Sequence, residues 1–376
     1  MKVLIIGGGV AAFEAALAAR TGDPDAEITV FSNESVAPYR RPSLSGMFGE
    51  LPPDQRFYLK PMKFYSDNQI ELKLDSPVTS IDTGAKKVVL ADGTSREYTR
   101  LIIASGGRAR LPQLPGIDDP RVMTLRNYAD LLEMRNRLDN GVRKVVIVGG
   151  GVLGLELAES LISRGCRVTI LEGCPALLPG RLDADAAKLV QEKLSRVDGL
   201  KMRFGALAEK ITGAGIVVKE EIFAADLLVF SVGMVPNTEI AAAAGIEVVK
   251  AIRVDVSMRS SVADVFAAGD AAELNGRVYG LYAAAREMGA TAGANAVGGA
   301  KCFAPAPSPV RMSAFGIKLF SMGEIAGERS EGGRDGDCYR RLFYDARGEL
   351  CGAVVIGDMA AAADLQLRLS AGGCGS

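Results

Sequence analysis

The chain has 376 residues, with 44 Lys plus Arg against 45 Asp plus Glu and 48% hydrophobic residues. This length and apolar content predict two or three packed domains and exclude a disordered chain, while the near-balanced charge gives no drive onto nucleic acid or an anionic membrane. There is no histidine, which removes a histidine general base, Ser-His and Cys-His triads, and every histidine-containing metal site.

The chain opens on an apolar β run, Lys2 to Ile6, followed by Gly7-Gly8-Gly9-Val10-Ala11-Ala12 and an Ala-rich stretch from Phe13 to Arg20 with strong helix propensity. A second apolar run, Ile28 to Phe31, completes a βαβ unit. The opening run is too short for a signal peptide, and no 18-residue apolar stretch follows, so the expectation is a soluble, cytoplasmic protein off the membrane. Leu111-Pro112-Gln113-Leu114-Pro115-Gly116 interrupts helix and strand and reads as a crossing into a second domain. There the pattern recurs: Lys144 to Val148, Gly149-Gly150-Gly151-Val152-Leu153-Gly154, a helix through Arg164, and Arg167 to Glu172. Two such units mean two dinucleotide sites or one duplicated fold.

Farther on, Gly233 to Asn237 reads as a break after the apolar strand Leu227 to Phe230, and Ala304 to Pro309 is the clearest linker. Beyond it, Arg340 to Tyr344 and Cys351 to Ile356 are strand-like and flank a hairpin loop, Asp345 to Glu349. Cys166, Cys174, Cys302, Cys338, Cys351 and Cys374 are scattered without a C-x-x-C pair, which predicts reduced thiols rather than a disulfide framework or zinc site. Cys166 and Cys174 read as packing residues, and Cys374 as a mobile, reactive thiol in the tail.

Each glycine turn follows a buried strand and opens a helix, the context that turns a G-x-G-x-x-G pattern into a phosphate site. The first glycine permits the tight turn, the second admits pyrophosphate to the backbone, and the third position is small for helix-on-strand packing. Gly7, Gly9 and Ala12 fill these roles in the first copy, and Gly149, Gly151 and Gly154 in the second. Glu172 ends the second strand of the second unit, where a carboxylate accepts from a ribose diol and repels a 2′-phosphate, so NADH is expected over NADPH. The equivalent position in the first unit is Ser32, with Asn33 and the acid Glu34 beside it.

These two fingerprints, with Ala104-Ser105-Gly106, Gly233 with Pro236-Asn237, and Val265 to Asp270, resemble the two-dinucleotide flavoproteins that include disulfide reductases and ferredoxin reductases. Pro38-Tyr39-Arg40-Arg41-Pro42-Ser43-Leu44-Ser45 is similar to the Pro-Tyr-x-Arg-Pro-x-Leu-Ser segment of NADH:rubredoxin oxidoreductases, the flavin part of NADH nitrite reductases and oxygenase-coupled ferredoxin reductases. The resemblance implies an α/β fold of two Rossmann-like, three-layer ββα domains plus a small α+β C-terminal interface domain. FAD is expected on residues 1–107 and 233–303, NADH on 108–232, and the interface domain over 304–376.

Carried over by residue, Asp270 resembles the acid near the flavin ribityl or pyrophosphate, Gly269 its close backbone, Arg41 and Pro42 the segment along the FAD, Val78 an adenine contact and Arg126 a further nucleotide contact. Glu156 matches the acid that reaches the nicotinamide. Glu156, Arg41 and Ser45 are the expected catalytic residues. Ser32, Asn33, Glu34, Ala104, Ser105, Gly106, Val152, Leu153, Glu172 and Gly233 complete the expected cofactor contacts.

Departures narrow the chemistry. No cysteine lies between Arg20 and Ile103, which excludes the family's redox pair, and Leu44-Ser45 is followed by Gly46, which replaces both a peroxidatic cysteine and the lysine of many ferredoxin reductases. Val235 stands where the family pattern Gly-x-Arg-Pro-Asn has arginine. The resemblance therefore implies an NADH oxidoreductase passing electrons through FAD to a small one-electron carrier, rubredoxin first, from a monomer or homodimer. A peroxide-forming NADH oxidase, a nitrite-reductase relative and a non-catalytic redox sensor resembling apoptosis-inducing factor are the competing readings. Arg40, Arg41, Arg108, Arg110 and Arg340-Arg341 are candidates for a docking face, against a role for Arg40 and Arg41 on FAD phosphates.

Overall fold

The computed structural model describes residues 1–48, 57–305 and 307–372. Cys374, expected as a reactive thiol, lies outside the described residues. The strand run at the N-terminus, Lys2–Ile6, is buried on both faces from Val3 onward, which is why its sequence is continuously apolar rather than alternating. It sits at the centre of a five-stranded parallel sheet in the order Val265–Ala267, Arg100–Ile103, Lys2–Ile6, Glu27–Phe31, Ile70–Lys73. Its first and last neighbours in that order come from segments far apart in sequence, so the chain leaves this sheet and returns to it.

Helix Val10–Gly22 packs on one face against helix Tyr282–Ala296. The alanine content read as helix propensity has a second use here, since small side chains bring the two backbones together. A Cβ at Gly289 or Gly293 would lie 2.2 or 2.1 Å from the carbonyl oxygens of Ala11 and Ala15. A three-stranded antiparallel sheet, Val78–Asp82, Lys87–Leu90 and Ser95–Glu97, forms the third layer.

The second unit repeats this plan: a parallel sheet in the order Leu200–Phe204, Arg167–Glu172, Lys144–Val148, Leu227–Phe230, Val122–Met123, and an antiparallel layer, Lys210–Thr212, Gly215–Val218 and Glu221–Phe223. Helix Val152–Ser163 buries Leu155, Leu157, Ala158 and Leu161, spaced to put one face on the core. Truncating Leu155 or Leu161 to alanine would cost about 2–5 kcal/mol each.

Gly233 to Asn237, read as a break, instead contains a short strand. Met234–Pro236 pairs antiparallel with Gly107–Ala109, so the outward and return crossings between the two units form one ribbon. Asn237 adds side-chain stitches, donating from Nδ2 to the Ser105 carbonyl at 3.0 Å and accepting on its own carbonyl from Ser105 Oγ at 2.8 Å. Proline is tolerated because the ribbon has only two strands and each is an edge.

The C-terminal unit is an antiparallel sheet in the order Val310–Ala314, Ile317–Gly323, Leu350–Ile356, Cys338–Tyr344, Arg329–Asp335, with the expected hairpin joining Cys338–Tyr344 to Leu350–Ile356. Helix Ala360–Gly372 covers one face through Ala362, Leu365 and Leu369. The other face, with Met312, Leu319, Tyr339 and Val354, joins the apolar core of the second unit and of the segment around Tyr39 and Leu44. No helix is long and apolar enough to cross a membrane among the described residues.

Candidate active site

The first glycine turn and the start of helix Val152–Ser163 line one cavity of about 630 Å³. Gly7 has φ +129°, and a Cβ on it would lie 2.1 Å from the Ala104 carbonyl oxygen. Gly149 repeats this with φ +109° and 2.3 Å to the Ser231 carbonyl oxygen. Glycine is obligatory at both on conformational and steric grounds. At Gly9 and Gly151 a Cβ would meet nothing within 4 Å. Both line the cavity, so the backbone there is bare towards an incoming group, as a phosphate requires. Ala12 is wholly buried, and a Cβ at Gly154 would lie 2.2 Å from the Gly149 carbonyl, so both small third positions serve packing.

Along the wall lie Asn33, Glu34, Arg41, Pro42, Ser45, Val78, Ala104, Ser105, Gly106, Arg126, Gly233, Gly269 and Asp270, together with Val152 and Leu153 from the second unit. Ser32 is not among them. It is fully buried beneath Gly8 and its Oγ accepts from the Glu34 N–H at 3.1 Å.

Four charged residues on this wall are joined. Arg41, in the 3₁₀ turn Arg41–Gly46, donates from Nη2 to Glu34 Oε1 at 2.7 Å and from Nη1 to the Arg126 carbonyl. The other Glu34 oxygen accepts from Tyr39 Oη at 2.7 Å and the Tyr128 N–H at 3.1 Å. Burial pushes the Tyr39 phenol far above its ordinary value. Burial works against the Arg41 cation, but Tyr39 and Glu34 outweigh it and hold the guanidinium above its ordinary value. Arg126 donates from Nη2 to Asp270 Oδ2 at 2.7 Å and from Nε to the Gly107 carbonyl at 2.8 Å. Its N–H donates to Asp130 Oδ2 at 2.7 Å, and burial holds that carboxyl above the usual range. Arg126 thus ties the Gly107 crossing, the Asp270 turn and Arg41 together.

Glu156 is half-buried and does not line the cavity. It accepts from Ser45 Oγ at 3.3 Å and from the backbone of Ser313 in the C-terminal sheet, and burial raises its pKa. One turn later Glu159 accepts from the Phe315 N–H at 2.6 Å. Helix Val152–Ser163 therefore holds the first C-terminal hairpin with two carboxylates. Glu172 borders a second, smaller cavity of about 280 Å³ together with Gly149 and Gly151. Its Oε2 accepts from the Gly150 N–H at 2.7 Å and its Oε1 from the Cys174 N–H at 2.8 Å.

The proposed basic face is corrected in part. Arg341 is bound to Asp183 at 3.1 Å and Asp185 at 2.9 Å, inside the contact between the C-terminal sheet and the second unit, where Tyr339 Oη also donates to Asp183 at 2.6 Å. Arg108 pairs with Glu239 at 2.6 Å, is the register partner of Val235 and does not line the large cavity. Arg40, Arg110 and Arg340 are exposed. Cys166 is buried, as its packing role requires, and burial raises the Cys166, Cys174 and Cys351 thiols, which disfavours the reactive thiolate.

Two contributors carried no sequence signal: Tyr282, at the start of helix Tyr282–Ala296, lines the large cavity, and Leu207 lines the small one. Neither falls in a fingerprint, and only the fold brings each to a cavity. Tyr39, inside the quoted segment, acts by bonding Glu34.

The model for pyridine nucleotide-disulphide oxidoreductases matches residues 1–289. The chain belongs to the pyridine nucleotide-disulphide oxidoreductase family. It is 34% identical over 322 residues to a rubredoxin-NAD(+) reductase of Ectopseudomonas oleovorans, covering 83% of each chain. Among solved structures it is similar to a ferredoxin reductase from Rhodopseudomonas palustris (28% identity, TM-score 0.88, 98% of this chain and 95% of that one). It is also similar to the NADH:rubredoxin oxidoreductase of Clostridium acetobutylicum (30%, TM-score 0.83, again 98% and 95%). As a member of this oxidoreductase family it uses FAD and NADH, and the bare backbone at Gly9 and Gly151 with the Arg41 guanidinium in the wall fits two pyrophosphates. Among the described residues, no cysteine lines either cavity.

Proposed function

We propose that this protein oxidises NADH and passes the electrons to a small one-electron carrier of the rubredoxin type, the activity named for its relatives from Ectopseudomonas and Clostridium. Bound FAD supplies the chemistry, taking a hydride and releasing electrons singly. The observation that carries the reading is the cavity shared by the first glycine turn and the start of helix Val152–Ser163, whose lining among the described residues holds no thiol.

In this reading residues 1–107 and 233–303 hold the flavin dinucleotide, 108–232 hold NADH, and 304–376 form the interface domain. Gly7, Gly9 and Arg41 hold the flavin pyrophosphate, and Gly269, Asp270 and Arg126 fix the neighbouring ribityl side. Asn33 and Val78 bound the adenosine end. Ala104, Ser105, Gly106 and Gly233 bring backbone close to it, as the stitching by Asn237 requires. Gly149, Gly151, Val152 and Leu153 receive the NADH pyrophosphate and nicotinamide end, and Glu172 the ribose diol. Glu156 acts through Ser45, holding the Arg41–Gly46 turn and the C-terminal hairpin in register, and is a positioning residue.

One chain supplies both glycine turns, so a monomer and a homodimer are both compatible with the chemistry. A cytoplasmic location is part of the reading, since NADH is the reductant. The near-neutral charge supports a role away from nucleic acid and membranes.

Anaerobic stopped-flow absorbance at roughly 450 nm, a flavin property, tests the whole. The expected result is fast bleaching by NADH, slow bleaching by NADPH, and reoxidation by rubredoxin faster than by oxygen. Slow bleaching by NADH would move the protein to a sensor role, and faster reoxidation by oxygen to an oxidase.

A further inference from the structure

Two carboxylates on helix Val152–Ser163 reach the first C-terminal hairpin, formed by Val310–Ala314 and Ile317–Gly323. Glu156 and Glu159 lie one turn apart on the same helix face, where like charges repel. Each is answered by a backbone N–H of the hairpin: Glu156 by that of Ser313, and half-buried Glu159 by that of Phe315 at 2.6 Å. The start of the same helix, Val152 and Leu153, lines the large cavity.

The turn that Glu159 meets is strained. Ala314 pairs with Ile317, which leaves Phe315 and Gly316 as a two-residue turn, with φ +55° and +70°. Both central residues of such a turn are left-handed, a conformation that glycine and asparagine take readily and a bulky aromatic residue takes at a cost. The Glu159 carboxylate is thus a charged acceptor at the one residue of the turn that resists its own backbone conformation. On the inner face of the hairpin, Met312, Ala314 and Ile317 share a core with Leu44. Ser45, the next residue, lines the large cavity and donates to Glu156 at 3.3 Å. A continuous set of contacts therefore runs from the Phe315 turn through Glu159 and Glu156 to Ser45 and the cavity wall.

Resting on the flavin assignment above, we infer that Glu159 is a positioning residue for hydride transfer: it holds the strained Phe315–Gly316 turn on helix Val152–Ser163, and so keeps Glu156 and Ser45 in the register that shapes the cavity wall beside the flavin. The NADH pyrophosphate turn, Gly149 to Gly151, precedes this helix and is held by its own packing against Ser231. Loss of Glu159 therefore disturbs the placement of the flavin against the nicotinamide rather than the capture of NADH.

The test is anaerobic stopped-flow bleaching over a range of NADH concentrations for the flavin-loaded wild type, Glu159→Ala and Glu159→Gln, with visible circular dichroism of the oxidised flavin as a readout independent of turnover. Glu159→Ala is expected to alter the dichroism and to lower the limiting bleaching rate about tenfold, the scale of one hydrogen bond to a charged group, with the half-saturating NADH concentration unchanged. Glu159→Gln keeps an acceptor oxygen and should recover the wild-type rate to within about threefold. In a Phe315→Asn background Glu159→Ala should cost less than about threefold, because asparagine takes the left-handed conformation without the clamp. If Glu159→Ala sheds its flavin, retention of flavin by the Phe315→Asn, Glu159→Ala protein supports the inference and loss there overturns it. A Glu159→Ala protein with wild-type dichroism and limiting rate, a Glu159→Gln protein as impaired as Glu159→Ala, or an equal loss in the Phe315→Asn background also overturns it. A wild type that holds no flavin, or whose flavin NADH does not bleach, overturns the flavin assignment itself and is recognised before any variant is compared.

Discussion

In the first βαβ unit the strand Glu27–Phe31 stops before Ser32, and the next carboxylate, Glu34, lies on the wall of the large cavity while holding Arg41, Tyr39 and Tyr128. In the second unit the strand Arg167–Glu172 ends on the carboxylate itself, which is held by the Gly150 and Cys174 amides at the edge of a cavity. Strand, glycine turn and helix are otherwise alike. The comparison teaches that the fingerprint dictates the backbone cradle, while the fate of the acid beyond it depends on which side chains the rest of the chain delivers. A carboxylate met by a guanidinium and a phenol helps to hold the wall of its cavity; one met only by amides of its own loop keeps more of its acceptor capacity open.

The strongest way to break the comparison is to add one methyl group to each turn. Gly7→Ala drives a Cβ into the Ala104 carbonyl in the first unit and is expected to abolish flavin retention, read as the ratio of visible to protein absorbance after purification. Gly149→Ala does the same against Ser231 and is expected to keep the flavin while removing NADH-dependent bleaching. Equal loss of flavin in both would show that the two turns are not separate sites.

Next come the acids. Glu34→Gln removes the charged partner of half-buried Arg41 and is expected to cost about 2 kcal/mol in denaturant unfolding, with NADH preference unchanged. Glu172→Gln is expected to leave stability close to wild type and to narrow the NADH over NADPH preference by about tenfold, read from bleaching rates. If the two variants exchange these phenotypes, the assignment of architecture to Glu34 and ligand to Glu172 is wrong.

A smaller effect is expected where the C-terminal sheet meets the second unit. Tyr339→Phe removes the phenol hydrogen bond to Asp183, itself the N-cap of helix Ala184–Leu194, and should cost about 1 kcal/mol. Equal stability of variant and wild type would remove that hydrogen bond from the clamp.

The smallest effects are pH-dependent and opposite in sign. Burial raises the Glu156 carboxyl, so the native state binds that proton more tightly than the unfolded chain. Relative to Glu156→Gln, wild type should gain stability as pH falls from neutrality through the range just above ordinary carboxylates, and lose it as pH rises. Asp119 is held at about 2, against an ordinary 3.8, chiefly by the Arg121 side chain, which also bridges the carbonyls of Thr212, Gly213 and Ala225. Its contribution is present above the ordinary value and is lost as pH falls towards 2, so Asp119→Asn should flatten the acid limb of the unfolding curve. A difference curve with the reverse slope in either case would overturn the corresponding assignment.

Much of this architecture was readable because its signals are local. Lys2 to Ile6 and Lys144 to Val148 are buried on both faces and therefore continuously apolar, and each is followed at once by its glycines, so strand, turn and helix could be placed from spacing alone. The hairpin around Asp345 to Glu349 was legible for the same reason. What misled the reading was partnership across distance. Arg341 looked like a surface cation until the fold set it on Asp183, far back in the chain. Gly233 to Asn237 looked like a break because proline discourages strands, yet a two-stranded ribbon offers an edge on which Pro236 costs no hydrogen bond that matters. Leu207 and Tyr282 lie outside every fingerprint, so no periodicity marks them.

The sequence by itself determined the two glycine turns, the parallel sheets that carry them and the acid at the end of strand Arg167–Glu172. Each of these follows from residues within one βαβ unit, where chain connectivity leaves few alternatives. Only the tertiary structure decided that Glu34 is neutralised by Arg41, that Arg126 reaches Asp270, and that Glu156 faces Ser45 and Ser313. Those contacts join segments up to 157 residues apart, and a side chain's chemistry there is set by the partner it meets, which spacing along the chain does not encode.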